Sequence, residues 1–296
     1  KCMKVGIYGQ FYHKNSGHYV QQLLDLLNQK DVEVIIEENF LKLIHENEEI
    51  DKTYSHFSTF EELDNTYDLF FSIGGDGTIL QTVTYVRDLD IPIVGINTGR
   101  LGFLATVNKE KLVSSVDEIL KNNYSITERS LISIKTSEGE ETFGGLNFAL
   151  NEVTVSRKNS TSMISVDTSL NGERLTNYWA DGLIISTPTG STGYSLSCGG
   201  PVIMPKTSSF ILTPIAPHNL NARPIVVPDS TEIKLKVSGR EEEHLVSLDS
   251  RIATLPVETE ITLTKAPFNI KLVLLEEDTF LTTLRKKLLW GEDKRN

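Results

Sequence analysis

A change of texture near residue 125 constrains this 296-residue chain more than any other feature. Before it, short β-rich runs alternate with segments of helical spacing; after it, strand-like runs follow one another without a long helical pattern. Alternation of the first kind builds a mostly parallel sheet covered by helices, whereas closely spaced strands build a β structure. The sequence therefore predicts an α/β N-terminal domain (a parallel sheet with helices) over 1–125 and a mainly β C-terminal domain over 126–275. Residues 276–296 are expected to form a C-terminal helix, docking back on the first domain, and a frayed tail.

Within the first half, Met3 to Tyr8 predicts a strand. Val20, Leu23, Leu24 and Leu27 share one helical face behind Ser16 as a possible cap, and Val32 to Ile36 predicts the next strand. A weaker helical stretch around Phe40, Leu41 and Ile44 runs into Glu46, Glu48, Glu49 and Asp51, which read as a solvated face. Leu69 to Ile73 is a compact apolar strand ending in Gly74, Gly75, Asp76, Gly77 and Thr78, after which Ile79, Leu80, Val83 and Val86 resume helical spacing. Ile91 to Ile96 is a further strand, and Leu112, Val116, Ile119 and Leu120 mark another helix.

In the second half, strands are expected at Leu131 to Lys135, Leu146 to Ser156, Met163 to Leu170, Leu183 to Ser186, Phe210 to Ile215, Ile233 to Val237, Ile261 to Thr264 and Asn269 to Leu275. Asn171-Gly172 signals a type I′ hairpin. Phe280, Leu281, Leu284 and Leu288 form an apolar helical stripe capped by Asp278 or Thr279.

Composition removes several classes of function. Forty acidic against 29 basic residues leave a formal charge of -11, so nucleic acid and anionic membranes are not expected partners. Only Cys2 and Cys198 occur, too few for a disulfide framework and suited to a reducing cytoplasm. No apolar run reaches the ~18 residues of a spanning helix, and the N-terminal residues enter a strand rather than a signal-peptide core. The six histidines lack ligand spacing, so no metal-ligating residue is assigned. A P-loop and a G-x-G-x-x-G turn are both missing from the sequence.

Three segments could carry chemistry. GGDGT at 74–78 places glycines around a carboxylate at a strand-to-helix junction, where N–H groups and the helix dipole receive phosphate oxygens. A carboxylate beside phosphates suits proton acceptance from an acceptor hydroxyl, or placement of a metal ion, in phosphoryl transfer. Asp76 is accordingly the candidate catalytic residue, the alternative being a plain helix cap. The second segment, WADGLIISTPTGSTGYSLSCGGP, opens from an apolar strand into a loop with Thr187, Thr189, Ser191 and Thr192. Small hydroxyls suit phosphate or ribose, Tyr194 offers a plane for a base, and Asp181 an acceptor for an amide or amine. The third, Asn151-Glu152, interrupts an apolar run. It is either an ordinary polar edge or a pair that reads an adenine edge and ribose hydroxyls.

Taken together, GGDGT, NTGRLGFL, NE and DGLIISTPTGSTGYSLSCGGP, in that order over nearly the whole chain, resemble the NAD kinases. GGDGT alone also resembles phosphofructokinases and the diacylglycerol and sphingosine kinases; the TPTGSTGY block and the NE pair are what single out NAD kinases. The resemblance implies an ATP- or polyphosphate-dependent enzyme, assisted by Mg²⁺ or another divalent cation, that makes NADP from NAD. It implies a site in a cleft between the two halves and a homodimer or homotetramer. Asp76 matches the base acting on the 2′-hydroxyl of the adenosine ribose. Gly74, Gly75, Gly77 and Thr78 match the surroundings of the donor phosphates, and Asn151 with Glu152 the dinucleotide-binding pair. Asp181 matches a contact to the nicotinamide end, and Thr192, Gly193, Tyr194 and Ser197 belong to the loop around NAD. Gly193 and Cys198 stand where alanine is frequent, and Arg251 where glutamine is. Arg251 is either a solvated charge or a guanidinium placed for a ligand phosphate or a carboxylate. The competing readings are a lipid or sugar kinase sharing only the GGDGT loop, and a dinucleotide sensor without turnover.

Overall fold

The computed structural model describes residues 2–10, 16–47, 52–159, 162–276 and 279–289. In chain order the first elements are β1 (Lys4–Gly9), α1 (Ser16–Gln29), β2 (Glu33–Glu37), α2 (Glu38–Asn47), β3 (Ser55–Phe57), β4 (Leu69–Gly74), α3 (Asp76–Val86), β5 (Ile93–Asn97), β6 (Val107–Asn108) and α4 (Leu112–Leu120). There follow β7 (Ser125–Thr136), β8 (Phe148–Ala149), β9 (Glu152–Arg157), β10 (Ile164–Leu170), β11 (Glu173–Ala180), β12 (Gly182–Ser186) and α5 (Tyr194–Ser197). The last are β13 (Ser209–Ile215), β14 (Ile225–Pro228), β15 (Ile233–Gly239), β16 (Glu243–Leu248), β17 (Arg251–Pro256), β18 (Glu260–Leu274) and α6 (Phe280–Leu288). The chain divides into two units, Lys1–Glu128 with Ile270–Asn296, and Arg129–Asn269.

In the first unit the strands β5, β4, β1, β2 and β3 lie side by side in that order, all parallel, with β6 and the end of β18 beside β5. Their continuous apolar runs are buried, as expected of parallel strands covered by helices. Val5, Ile7, Phe71, Ile73, Val94 and Ile96 pack with Leu23, Leu24 and Leu27 of α1 and with Val116 and Ile119 of α4. The C-terminal ends of β4 and β5 carry the glycine loop and the Asn97–Arg100 turn, where open α/β sheets place their ligands. Leu284 anchors α6 as a buried side chain, and the Thr279 hydroxyl caps that helix by accepting from the Thr282 N–H at 3.2 Å. The alternative cap Asp278, the side chain of the proposed cap Ser16, the acidic positions 48, 49 and 51 and the tail 292–296 lie outside the described residues.

The second unit is antiparallel. One sheet runs β14, β13, β12, β9, β16, β17; the other joins β11, β10, β15 and β18, with β7 and β8 beside it. Asn171 and Gly172 both take positive φ, 50° and 82°, and close the β10–β11 hairpin with Leu170 opposite Glu173, the geometry a type I′ turn requires. Three expected strands differ from the pattern. Leu146 to Ser156 is broken between β8 and β9, because three successive N–H groups turn toward one carboxylate, which the alternating N–H directions of a strand do not allow. Conversely, the two short strands expected at 261–264 and 269–275 are one strand, β18, which passes through the exposed Pro267.

Candidate active site

The GGDGT segment turns from β4 into α3 around two kinds of glycine. A Cβ on Gly74 would stand 2.1 Å from the Thr78 hydroxyl oxygen, so packing alone demands glycine there. The same hydroxyl accepts the Gly75 N–H at 3.3 Å and fixes the turn. A Cβ on Gly75 or Gly77 would meet nothing within 4 Å. These two positions border open space at a helix start, where the helix dipole places partial positive charge. Their bareness leaves room for a group from outside the protein.

Asp76, the first residue of α3, does not cap the helix. Its Oδ2 accepts the Phe103 N–H at 2.7 Å, and its Oδ1 accepts those of Leu104 and Ala105 at 3.0 and 3.1 Å. Successive N–H groups converging on one anion form a nest, and this one is built from the end of the NTGRLGFL segment and the Ala105 that follows it. Gly102 makes the approach possible, since a Cβ there would lie 1.8 Å from Asp76 Oδ1. The preceding turn is tied in as well. Thr98 donates its N–H to the Gly74 carbonyl at 3.0 Å, and the Asn97 amide bridges the Gly99 N–H and the Arg100 carbonyl, each at 2.9 Å. The Phe103 ring packs against Phe280 of α6 (centroids 5.9 Å apart), with the Lys287 ammonium 4.9 Å from its centroid. The C-terminal helix thus reaches the residue whose N–H holds Asp76.

In the second unit the NE pair sits where β9 begins. The Asn151 carbonyl accepts the Thr187 N–H at 2.9 Å and the Thr187 and Ser186 hydroxyls at 3.2 and 3.3 Å. A Cβ on Gly190 would come within 2.1 Å of that carbonyl, so the STPTG loop closes on Asn151 only because position 190 is glycine. Glu152 is buried and its Oε2 has no hydrogen-bond partner. Burial, with the Asp249 carboxylate nearby, pushes its carboxyl up to about 8, so it holds its proton at neutral pH. A Cβ on Gly193 would stand 3.5 Å from Glu152 Oε2 and 3.9 Å from Asn151 Nδ2. Asn151, Glu152 and Gly193 are therefore brought together, and the frequent alanine would fit there tightly, its Cβ 3.3 Å from the Gly190 carbonyl oxygen.

The remaining predicted residues are distributed around this group. Tyr194 opens α5 and is 46% exposed. Burial and then Cys198, Asp181 and Glu152 raise its phenol, which places those groups within electrostatic reach. Asp181 pairs with Arg157, 3.0 Å between Oδ2 and the guanidinium. The Thr192 hydroxyl donates to the Thr189 carbonyl at 3.2 Å, and Ser197 is exposed on the last turn of α5. Ser191 and Ser195 are committed to packing, Ser191 to the Pro188 carbonyl at 2.7 Å and Ser195 to the Thr213 hydroxyl at 2.8 Å. The Arg251 guanidinium donates to the carbonyls of Leu146 and Phe148 and lies 5.4 Å from the Phe148 ring centroid. Sequence reasoning missed two participants. Gly102 stands in plain view within NTGRLGFL, whereas Asp249 is signalled only by its place two residues before Arg251. Among the described residues, no group of three His, Cys, Asp or Glu side chains could hold a metal ion, and no helix is long and apolar enough to cross a membrane.

Residues 5–124 match the ATP-NAD kinase N-terminal domain and residues 150–275 the ATP-NAD kinase C-terminal domain. The NAD kinase of Christiangramia forsetii is 65% identical over 99% of this chain and 100% of its own, and that of Flavobacterium psychrophilum 55% identical over the same shares. Among solved structures, an NAD kinase from Archaeoglobus fulgidus in complex with ATP superposes with a TM-score of 0.75 at 26% identity, covering 97% of this chain and 99% of that one. Yeast NADH kinase complexed with NADH shares the fold, with a TM-score of 0.88 at 23% identity over 99% of this chain and 89% of that one. The chain belongs to the NAD kinase family, whose members are phosphotransferases.

Proposed function

We propose that this protein transfers the terminal phosphoryl group of ATP, or of polyphosphate, to the 2′-hydroxyl of the adenosine ribose of NAD, giving NADP. The observation that carries the reading is Asp76 itself, held by three N–H groups at a helix start and flanked by two glycines that face open space. A carboxylate offers about four lone-pair positions; the three bonds to Phe103, Leu104 and Ala105 leave one on Oδ2. That position takes the proton from the ribose hydroxyl while its oxygen bonds to phosphorus and the bond from phosphorus to the donor's leaving oxygen breaks. The backbone at Gly74, Gly75, Gly77 and Thr78 receives the donor phosphates.

Asn151 and Glu152 hold the dinucleotide, with Thr192, Gly193, Tyr194 and Ser197 around it and Asp181 toward the nicotinamide end. Because Glu152 holds its proton near neutrality, it meets NAD as a donor. Mg²⁺ or another divalent cation belongs with the donor's phosphates, whose oxygens are its natural ligands. It would neutralise their charge, and no residue of this chain is assigned to hold it. The family resemblance also supports a homodimer or homotetramer in the cytoplasm. The test incubates the purified protein with NAD, ATP or polyphosphate, and Mg²⁺, and detects NADP with an NADP-specific dehydrogenase. NADP formation is expected. Binding of NAD without any product would establish the sensor reading instead, and phosphorylation of a lipid or sugar but not NAD the other kinase reading.

A further inference from the structure

The hairpin turn between β16 and β17 grips the segment that carries Asn151 and Glu152 from two directions. Asp249 accepts the N–H groups of Leu150, Asn151 and Glu152 at 2.9, 2.8 and 3.2 Å, and returns its own N–H to the Glu152 carbonyl at 3.0 Å. Two residues on, the Arg251 guanidinium takes the carbonyls of Leu146 and Phe148 and lies over the Phe148 ring. The turn is itself fixed, because Leu248 pairs with Arg251 across the hairpin and with Val153 of β9. Asp249 takes φ +52°, a left-handed conformation that Asp tolerates better than most residues. Leu150 and Asn151 belong to no strand, so their backbone direction is set not by a ladder but by this carboxylate on their N–H groups and by Thr187 on their carbonyls. Arg251 also offsets part of the charge that Asp249 buries.

We propose that Asp249 and Arg251 are positioning residues for dinucleotide recognition: they set the backbone of residues 146–152, and through it the direction in which Asn151 and Glu152 meet NAD, without contacting NAD themselves. The inference rests on the reading of Asn151 and Glu152 as the dinucleotide-binding pair. It gives Arg251 a task that needs a two-pronged donor. A glutamine amide at that place has a shorter reach and a single nitrogen with which to meet two carbonyls.

The test measures full-length wild type, Asp249→Asn and Arg251→Gln by steady-state kinetics against NAD and against ATP, by calorimetric NAD affinity, and by thermal melting. The KM and Kd for NAD should rise about tenfold in Asp249→Asn and about threefold in Arg251→Gln, the scale of lost or misaligned hydrogen bonds, while kcat and the KM for ATP stay within about twofold. A merely structural loss lowers the folded fraction and hence apparent kcat, without moving the KM for NAD. Should Asp249→Asn fail to fold, Arg251→Gln decides. In an Asn151→Ala background the Arg251→Gln effect should shrink, as coupled residues require; an undiminished, additive effect would mean direct contact with NAD and overturn the proposal. Unchanged NAD affinity in both single variants would also overturn it. Calorimetry decides this question even for an enzyme without turnover, whereas a wild type that makes no NADP fails the functional reading alone.

Discussion

Asp76 and Asp249 make nearly the same hydrogen bonds and differ in what surrounds them. Each accepts three successive backbone N–H groups from a segment far away in sequence, Phe103 to Ala105 in one unit and Leu150 to Glu152 in the other. Burial of its carboxyl pushes Asp249 up, with the three N–H groups and Arg251 opposing that rise. Both residues are half-buried as a whole, and what sets Asp76 apart is its place between two glycines whose faces are bare. A nest of N–H groups therefore does not by itself mark a reacting group. Access decides whether the clasped carboxylate does chemistry or holds the chain.

This contrast can be broken at either end. The largest effect is expected at Asp76. Asp76→Asn removes the base and should cost about 100- to 10,000-fold in turnover, with a smaller change in NAD affinity, measured by coupled assay on enzyme free of the host's own. Next comes Gly102→Ala, whose methyl group would collide with Oδ1 at 1.8 Å. Misplacing a reacting group by about 1 Å costs up to about 100-fold, so kcat should fall by about tenfold to 100-fold while the KM for NAD holds; unaltered kcat would show that the clasp is not needed for chemistry.

A smaller effect sharpens the other side. Glu152 has a folded-state value near 8 against about 4.3 for a free glutamate. Its contribution to stability is full below that lower value and is lost as pH rises through 8. His244, buried and pulled down to about 4, acts in the opposite sense, its contribution being lost as pH falls from about 6.5. Above pH 6.5 only Glu152 changes between them, and Glu152→Gln should abolish a decline of about 2 kcal/mol between pH 6.5 and 8. Parallel melting curves for wild type and Glu152→Gln across that range would contradict the buried acid.

How much of this was legible in the sequence follows from how local each feature is. The glycine loop could be read because strand, turn and helix are contiguous at 69–86, and the Asn171-Gly172 turn because two adjacent residues dictate its φ angles. The partners of Asp76 could not, since they stand 27 to 29 residues away and bind through backbone atoms that carry no side-chain signature. The β16–β17 hairpin was hidden by its composition. In Glu243 to Leu248 the inward positions are His244, Val246 and Leu248, and a buried histidine spoils the alternation that marks a strand. Pro267 stands between the runs expected at 261–264 and 269–275, and its exposed position lets one strand continue through it. Sequence alone leaves Arg251 between solvent and ligand, because carbonyls at 146 and 148 become its partners only when the hairpin folds beside them.

The claim that access separates the two carboxylates is tested most directly by rapid-quench single-turnover kinetics of Asp76→Asn and Asp249→Asn side by side, at saturating NAD and ATP. Asp76→Asn is expected to slow the phosphoryl-transfer step by at least about 100-fold, and Asp249→Asn, once saturated, to transfer at close to the wild-type rate. Near-normal transfer by Asp76→Asn, or an equal slowing of the chemical step in both variants, would contradict that claim.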